Sequence, residues 1–261
     1  MSTVPETSVL LAEYTTLGLG GPARSFVRAA TTDELVSAVR EADRVGEPVL
    51  ILGGGSNLIV ADTGFSGVVV HADSQGVSFE EAGVDPETGE QVVLLRAEAG
   101  VEWDPLVRRT VAEGLNGLEF LSGIPGRVGA TPIQNVGAYG QEVSQTVREV
   151  LVYDRRTGKR RVMSNAECGF TYRDSVFKGD DRYVVCEVVF ALRRAELSRP
   201  VRYAEVAGAM DTRAGERVPL ERARETVLGL RRGKGMVLDP DDPDTRSAGS
   251  FFTNPILSAE E

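Results

Sequence analysis

Four short stretches of this chain concentrate the residue types that do chemistry. Gly53, Gly54, Gly55, Ser56 and Asn57 follow the apolar run PVLIL. Without Cβ atoms, successive backbone N–H groups can face one concavity that holds an anion, and Ser56 and Asn57 add side-chain donors. The same triplet would equally serve as a tight turn between two strands. Residues 118–143, LEFLSGIPGRVGATPIQNVGAYGQEV, are glycine-rich, non-periodic and almost uncharged. A loop of this length in a folded domain is usually functional. Its small residues let backbone approach a flat ligand, with Thr131, Gln134, Asn135 and Tyr139 as uncharged polar contacts, an arrangement suited to a planar ring system such as isoalloxazine. A buried loop packing two lobes together is the alternative. YRDSVFK (172–178) crowds Tyr172, Arg173, Asp174, Ser175 and Lys178 into one segment. Arg173 could grip a carboxylate or a developing enolate with its planar fork, or form an ordinary surface pair with an aspartate. In SAGSFFTNP (247–255), Ser250 follows small residues and precedes two aromatics. No G-x-S-x-G surrounds it, so it is not a nucleophile elbow; alone, the stretch reads as a turn entering a strand.

Composition removes several classes of function. With 29 Lys and Arg against 39 Asp and Glu the 261-residue chain carries a net charge of −10, which argues against a broad nucleic-acid surface and leaves room for a local anion pocket. Apolar residues make up 41% and charged residues 26%, ordinary for a globular chain. Cys168 and Cys186 form no CxxC pair and are expected as small core residues, and the one histidine, His71, argues against a His-rich metal site or a Ser-His-Asp triad. The N-terminal MSTVPETSVL has neither a basic region nor a long apolar run, and no stretch approaches the length of a membrane span. The expectation is a cytoplasmic protein with no metal, no membrane and no nucleic-acid partner.

The elements that must position these stretches alternate at first. TTDELVSAVREADRVG (31–46) predicts a helix with Thr31 as N-cap, Glu34 completing a capping box, and Leu35, Val39 and Ala42 as its apolar stripe. Strands are predicted at 48–52, 57–62 and 92–101, and a helix from Asp104 to Gly114. Residues 146–192 switch to hairpins, and a third helix is predicted at 218–235 with Leu220, Ala223, Val227 and Leu230 inward. The class is α+β, with helical crossovers first and antiparallel strands after. A Rossmann fingerprint does not fit the glycine triplet, because Leu58 stands where its third glycine belongs and no helix start follows.

In this order, LILGGGSNLIV, GLEFLSGIPGRVGATPIQNVGAYG, ECGFTYRDSVFK, KGMVLDP and AGSFFTNP resemble the UDP-N-acetylenolpyruvoylglucosamine reductase family, type I branch, over nearly the whole chain. The resemblance implies a two-lobed FAD-binding domain of vanillyl-alcohol-oxidase type, with lobes at 1–67 and 68–233, followed at 234–261 by the start of a smaller substrate-binding domain. It implies FAD and NADPH as cofactors, a UDP-sugar substrate reduced at an enolpyruvyl ether for peptidoglycan precursor synthesis, and a monomer. By position it assigns Arg173 and Ser250 to catalysis, Ser250 as proton donor. It assigns Gly53, Gly54, Gly55, Ser56, Asn57, Ile124, Pro125, Gly126, Thr131, Gln134, Asn135 and Gly137 to the cofactor, and Tyr172, Lys234 and Asn254 to the substrate. Lys234 would also suit an exposed helix end. Family members continue past SFFTNP with a further catalytic glutamate. Here the sequence ends at Glu261, and Glu260 and Glu261 stand in a different context. A catalytically silent flavin-binding fragment and another FAD oxidoreductase of the same fold are the alternatives; YRDSVFK and AGSFFTNP argue against the second, since the fold alone does not require them.

Overall fold

The structure, a computed structural model, describes residues 5–86, 88–247, 249, 250, 252 and 254. A capping box sets its first helix. Thr31 accepts from the Glu34 N–H at 3.1 Å while the Glu34 carboxylate reaches back to the Ala30 N–H at 2.9 Å. Helix α1 (Thr32–Arg44) therefore starts where expected and turns Leu35, Val36, Val39 and Ala42 inward. It crosses from strand β2 (Pro22–Ala29) to β3 (Val49–Leu52), which flank β4 (Phe65–Ala72) in parallel, with β1 (Val9–Leu10) antiparallel on the outer edge. The central strand β4 is almost continuously buried, as a parallel strand covered on both faces must be. Position 67 lies inside it.

The expected strand at 57–62 is not one. Leu58 and Val60 do face the cluster of Leu11, Phe26 and Leu52, and Ile59 is exposed, so the alternation is real. Yet among the described residues the only backbone bond tying this run to a neighbour is Gly21 N–H to Ala61 O. Gly64, at φ +78°, then turns the chain into β4. The glycine triplet thus opens an extended connection between two parallel strands.

The second sheet is antiparallel, in the order β11 (Lys159–Ser164), β10 (Val147–Asp154), β12 (Tyr183–Arg194), β6 (Gln91–Glu98), β5 (Val77–Val84), with the short β7 (Leu115–Asn116) also on β12. The inner face of this sheet packs Leu95, Val150, Val188 and Phe190 against Trp103 and Leu106 of α2 (Trp103–Ala112). Cys168 and Cys186 are buried and form no disulfide, and burial pushes their thiols up to about 11 and about 12. A two-strand ladder, β8 (Gly137–Ala138) and β9 (Gln141–Glu142), and helices α3 (Ala204–Ala209) and α4 (Leu220–Arg232) complete the chain's regular structure. Leu220, Ala223 and Val227 of α4 face inward as predicted.

Two devices fix the loops that matter below. Arg224 of α4 forks onto Asp104 of α2 at 2.7 and 2.8 Å, and Asp104 also accepts the Gly123 N–H at 2.6 Å, anchoring the start of the glycine-rich loop. Burial opposes the Asp104 charge, but the Arg224 fork and the Gly123 N–H outweigh it and hold the carboxyl below its ordinary pKa. Between the lobes, Arg155 grips Asp43 of α1 at 2.6 Å, and Tyr153, Val184 and Cys186 pack with α1 in one core.

Candidate functional site

The two glycine-rich stretches meet. A Cβ on Gly54 would lie 2.7 Å from the Gly126 Cα, one on Gly55 would lie 1.9 Å from the Tyr14 carbonyl oxygen, and one on Gly126 would lie 2.8 Å from Ser56 Oγ. Ser56 Oγ donates across the junction to the Pro125 carbonyl at 3.3 Å. Only glycine allows this approach. It lies just past the carboxyl ends of β3 and β4, where parallel sheets place ligands. Among the described residues, nothing accepts from the N–H groups of Gly54, Gly55 and Ser56, so they form a cradle of unused donors.

Around this cradle stand polar groups that sequence reasoning did not assign. His71 is 4% exposed, packs on the rings of Tyr14 and Phe26, and its Nδ1 has no partner. The Thr16 hydroxyl is likewise buried without a partner, while the Thr16 N–H donates to Gly55 O. Arg127 donates to the Ala72 carbonyl and, at 2.7 Å, to Asp73. Nothing local in the sequence marks these residues, since strand parallelism alone brings 71–73 to 53–56 and 126–127. The cradle and its orphaned polar atoms fit a bound diphosphate.

A second cluster gathers on the ladder β8–β9. Asn135, Tyr139 and Arg173 all have positive φ, 45°, 51° and 55°, a conformation costly for side-chain-bearing residues and concentrated at functional sites. For Tyr139 the cause is local: with Gly140 at φ +80° it makes the two-residue turn of the hairpin. Arg173 donates to the Gly137 carbonyl at 2.6 Å and the Asn135 carbonyl at 3.3 Å, and lies 3.4 Å from the Glu142 carboxylate, with Tyr172 under its guanidinium. A Cβ on Gly137 would sit 2.6 Å from Arg173 Nη1. Asn135 is 1% exposed and its amide is fully used, donating to Glu142 and to the Thr171 carbonyl and accepting from the Ser144 N–H. Gly137 and Asn135 therefore seat Arg173. Thr131 is buried with its hydroxyl on the Val128 carbonyl, and Gln134, Ile124 and Pro125 are half-buried along the loop.

Lys234 stands beyond the hairpin tip, 5.8 Å from the Tyr139 ring and paired with Glu205 at 2.6 Å; the hydrogen bond to Glu205 raises its pKa. Asn57, Ser250 and Asn254 are exposed, and no contact among the described residues joins Ser250 to Arg173. Phe251, Thr253 and the residues from 255 onward lie outside the described residues.

Residues 23–164 match a family of FAD binding domains. Over all 261 residues the chain is 63% identical to the UDP-N-acetylenolpyruvoylglucosamine reductase of Thermobifida fusca, of which it spans 72%. The chain belongs to the UDP-N-acetylenolpyruvoylglucosamine reductase family. The Salinispora arenicola reductase is 55% identical over 97% of this chain and 68% of its own length. The crystal structure of the Thermus caldophilus reductase superposes with a TM-score of 0.65 at 28% identity, covering 97% of this chain and 76% of that one. A vanillyl-alcohol-oxidase-type flavoprotein from Myceliophthora thermophila shares the fold at 16% identity and a TM-score of 0.50, over 66% of this chain and 32% of its own. The two-lobed flavin-binding fold of the reductase family, α+β in class, is thus the fold of this chain.

Proposed function

We propose that this chain reduces UDP-N-acetylenolpyruvoylglucosamine to UDP-N-acetylmuramate with NADPH as reductant, in the cytoplasm and as a monomer, for peptidoglycan precursor synthesis. The observation that carries this reading is the seating of Arg173 on a strained backbone, forked onto the hairpin that ends the glycine-rich loop. FAD, when bound, supplies the two-electron relay between nicotinamide and the enol ether. The N–H groups of Gly54, Gly55 and Ser56 would hold its diphosphate, and Ile124, Pro125, Gly126 and Thr131 would line its ring side. Reducing the enol ether delivers a hydride to one carbon and a proton to the next, and negative charge builds on the carboxylate between these events. Arg173, already positioned, stabilises that charge more than it stabilises the ground state. Ser250 delivers the proton, while Tyr172, Lys234 and Asn254 hold the UDP-sugar. Because β4 runs unbroken through residue 67, the lobes divide after Ala72 rather than at 67, with the substrate-binding part beginning near 234.

Purified chain should carry non-covalent FAD, all of it released on acid precipitation, and its flavin should bleach with NADPH and recover with the enolpyruvyl substrate in stopped flow. Flavin retained by the precipitate, or recovery no faster than with oxygen alone, counts against the proposal. A catalytically silent flavin-binding chain is the second reading, and the exposure of Ser250 favours it. It predicts bound flavin without recovery.

A further inference from the structure

A cavity of about 370 Å³ opens on the antiparallel sheet, lined by none of the residues assigned above. Val84, Val92 and Leu94 give it apolar surface, while Arg148, Arg193 and Arg199 oppose one carboxylate among the described lining residues, Asp85. The neighbouring acids are already engaged. Asp85 pairs with Arg193 at 2.5 Å, and Glu90 pairs with Arg217 at 2.9 Å and lies 3.6 Å from Arg193. Glu119, fully buried, accepts the backbone N–H groups of Gly117 and Arg199, each at 2.6 Å. The guanidinium groups of Arg148 and Arg199 bond to no described residue.

Arg199 is half-buried, and burial first, then the charges of Arg193 and Arg217, push its pKa below the ordinary arginine value. The Glu119 and Glu90 carboxylates oppose that shift without reversing it, so an anion in the cavity would add to the compensation. A second orphan lines the same cavity. Asn116 is 1% exposed and donates to the Leu197 carbonyl at 3.0 Å, but its Oδ1 accepts nothing. A cation without a hydrogen-bond partner thus lines a space with apolar walls, and an unpaired acceptor lies sealed from solvent in the wall of that space.

We propose that this cavity binds a small hydroxylated anion. Its phosphate or carboxylate sits on Arg199 and Arg148, its carbon skeleton lies on Val92 and Leu94, and a hydroxyl draws out the sealed Asn116 amide, whose Oδ1 accepts from it. The site is separate from the glycine cradle and does not depend on the reaction proposed above.

Calorimetric titration with glycerol 3-phosphate and with glycerate, FAD in excess and ionic strength fixed, tests this. FAD keeps phosphate from reporting on the cradle. Saturable binding is expected for at least one probe, and the tighter of the two identifies the headgroup. Arg199→Gln, which keeps the backbone N–H to Glu119, should weaken binding at least about tenfold, the scale of one charged hydrogen bond. Arg148→Gln, on an exposed residue whose loss does not threaten folding, should weaken it several-fold. Unchanged affinity in both variants, displacement by UDP, inorganic phosphate binding as tightly as either probe, or no saturable binding would each overturn the proposal.

Discussion

At the scale of single residues, the one histidine is the sharpest reporter of the cradle. Burial, and then the positive charge of Arg127, pull the His71 pKa from its ordinary value to about 4. Because the folded value lies below the unfolded one, the unfolded chain binds more protons between them. Stability is therefore fully present above about pH 6.5 and is lost as pH falls toward 4, by on the order of 2–3 kcal/mol. A histidine ring spectrum of this single-histidine chain should show one resonance pair titrating near 4, and His71→Gln should flatten unfolding free energy across that window. Titration near 6.5 would mean that the ring is not packed as described. In the proposed function, catalysis at this scale rests on Arg173 and Ser250. Arg173→Lys keeps the charge but loses the planar fork, so flavin reduction by NADPH should stand while reoxidation by substrate slows about a hundred- to a thousandfold. Ser250→Ala should slow the same half-reaction about a hundred- to ten-thousandfold; equal slowing of both halves would assign Ser250 another role.

At the scale of elements, the test falls on what seats Arg173. A methyl group at Gly137 would lie 2.6 Å from Arg173 Nη1 and 2.8 Å from Glu142 Cγ. The guanidinium, the far end of a flexible side chain, yields first, while the Gln141 carbonyl oxygen at 2.9 Å is backbone and adds to the cost. Gly137→Ala should thus cost about 1–3 kcal/mol, retain flavin, and reproduce the reoxidation defect of Arg173→Lys. Intact reoxidation would show that Gly137 does not position the arginine. Asp104→Asn leaves Arg224, 6% exposed, without its fork, and should lower unfolding free energy by about 2–3 kcal/mol in a denaturant titration. These elements differ in how far sequence revealed them. Helix α1 was legible because Thr31, Glu34 and the stripe from Leu35 to Ala42 are all local signals. Residues 57–62 depart from the expected strand because apolar alternation records which side chains face inward, whereas a strand also needs a bonded neighbour, and among the described residues only Gly21 supplies one. The glycine loops announced close backbone approach, but that Gly54 meets Gly126, and that Asn135 and Gly137 serve Arg173, depends on contacts between segments far apart in sequence.

At the scale of the molecule, each sheet carries its own core, and the cradle is completed by loops from both, Gly54 on one side and Gly126 on the other. A ligand held there would add to the contacts that the lobes make with each other. Those contacts include Arg155, which bridges Asp43 of α1 and Asp181 at 2.6 and 2.9 Å. FAD at a hundredfold excess over its dissociation constant should add about 2.7 kcal/mol, which for a chain of this size raises Tm by roughly 5–11 °C. Arg155→Ala strands Asp43, 27% exposed, and weakens the joint between lobes without touching the cradle. Calorimetry on that variant without flavin should resolve a broadened or split transition, because two cores no longer unfold as one. Adding FAD should restore a single sharp transition at higher temperature. A variant that unfolds in one sharp step with and without flavin would show that the lobes are coupled through their packed core alone, and that the cofactor contributes affinity to one lobe rather than a bridge between two.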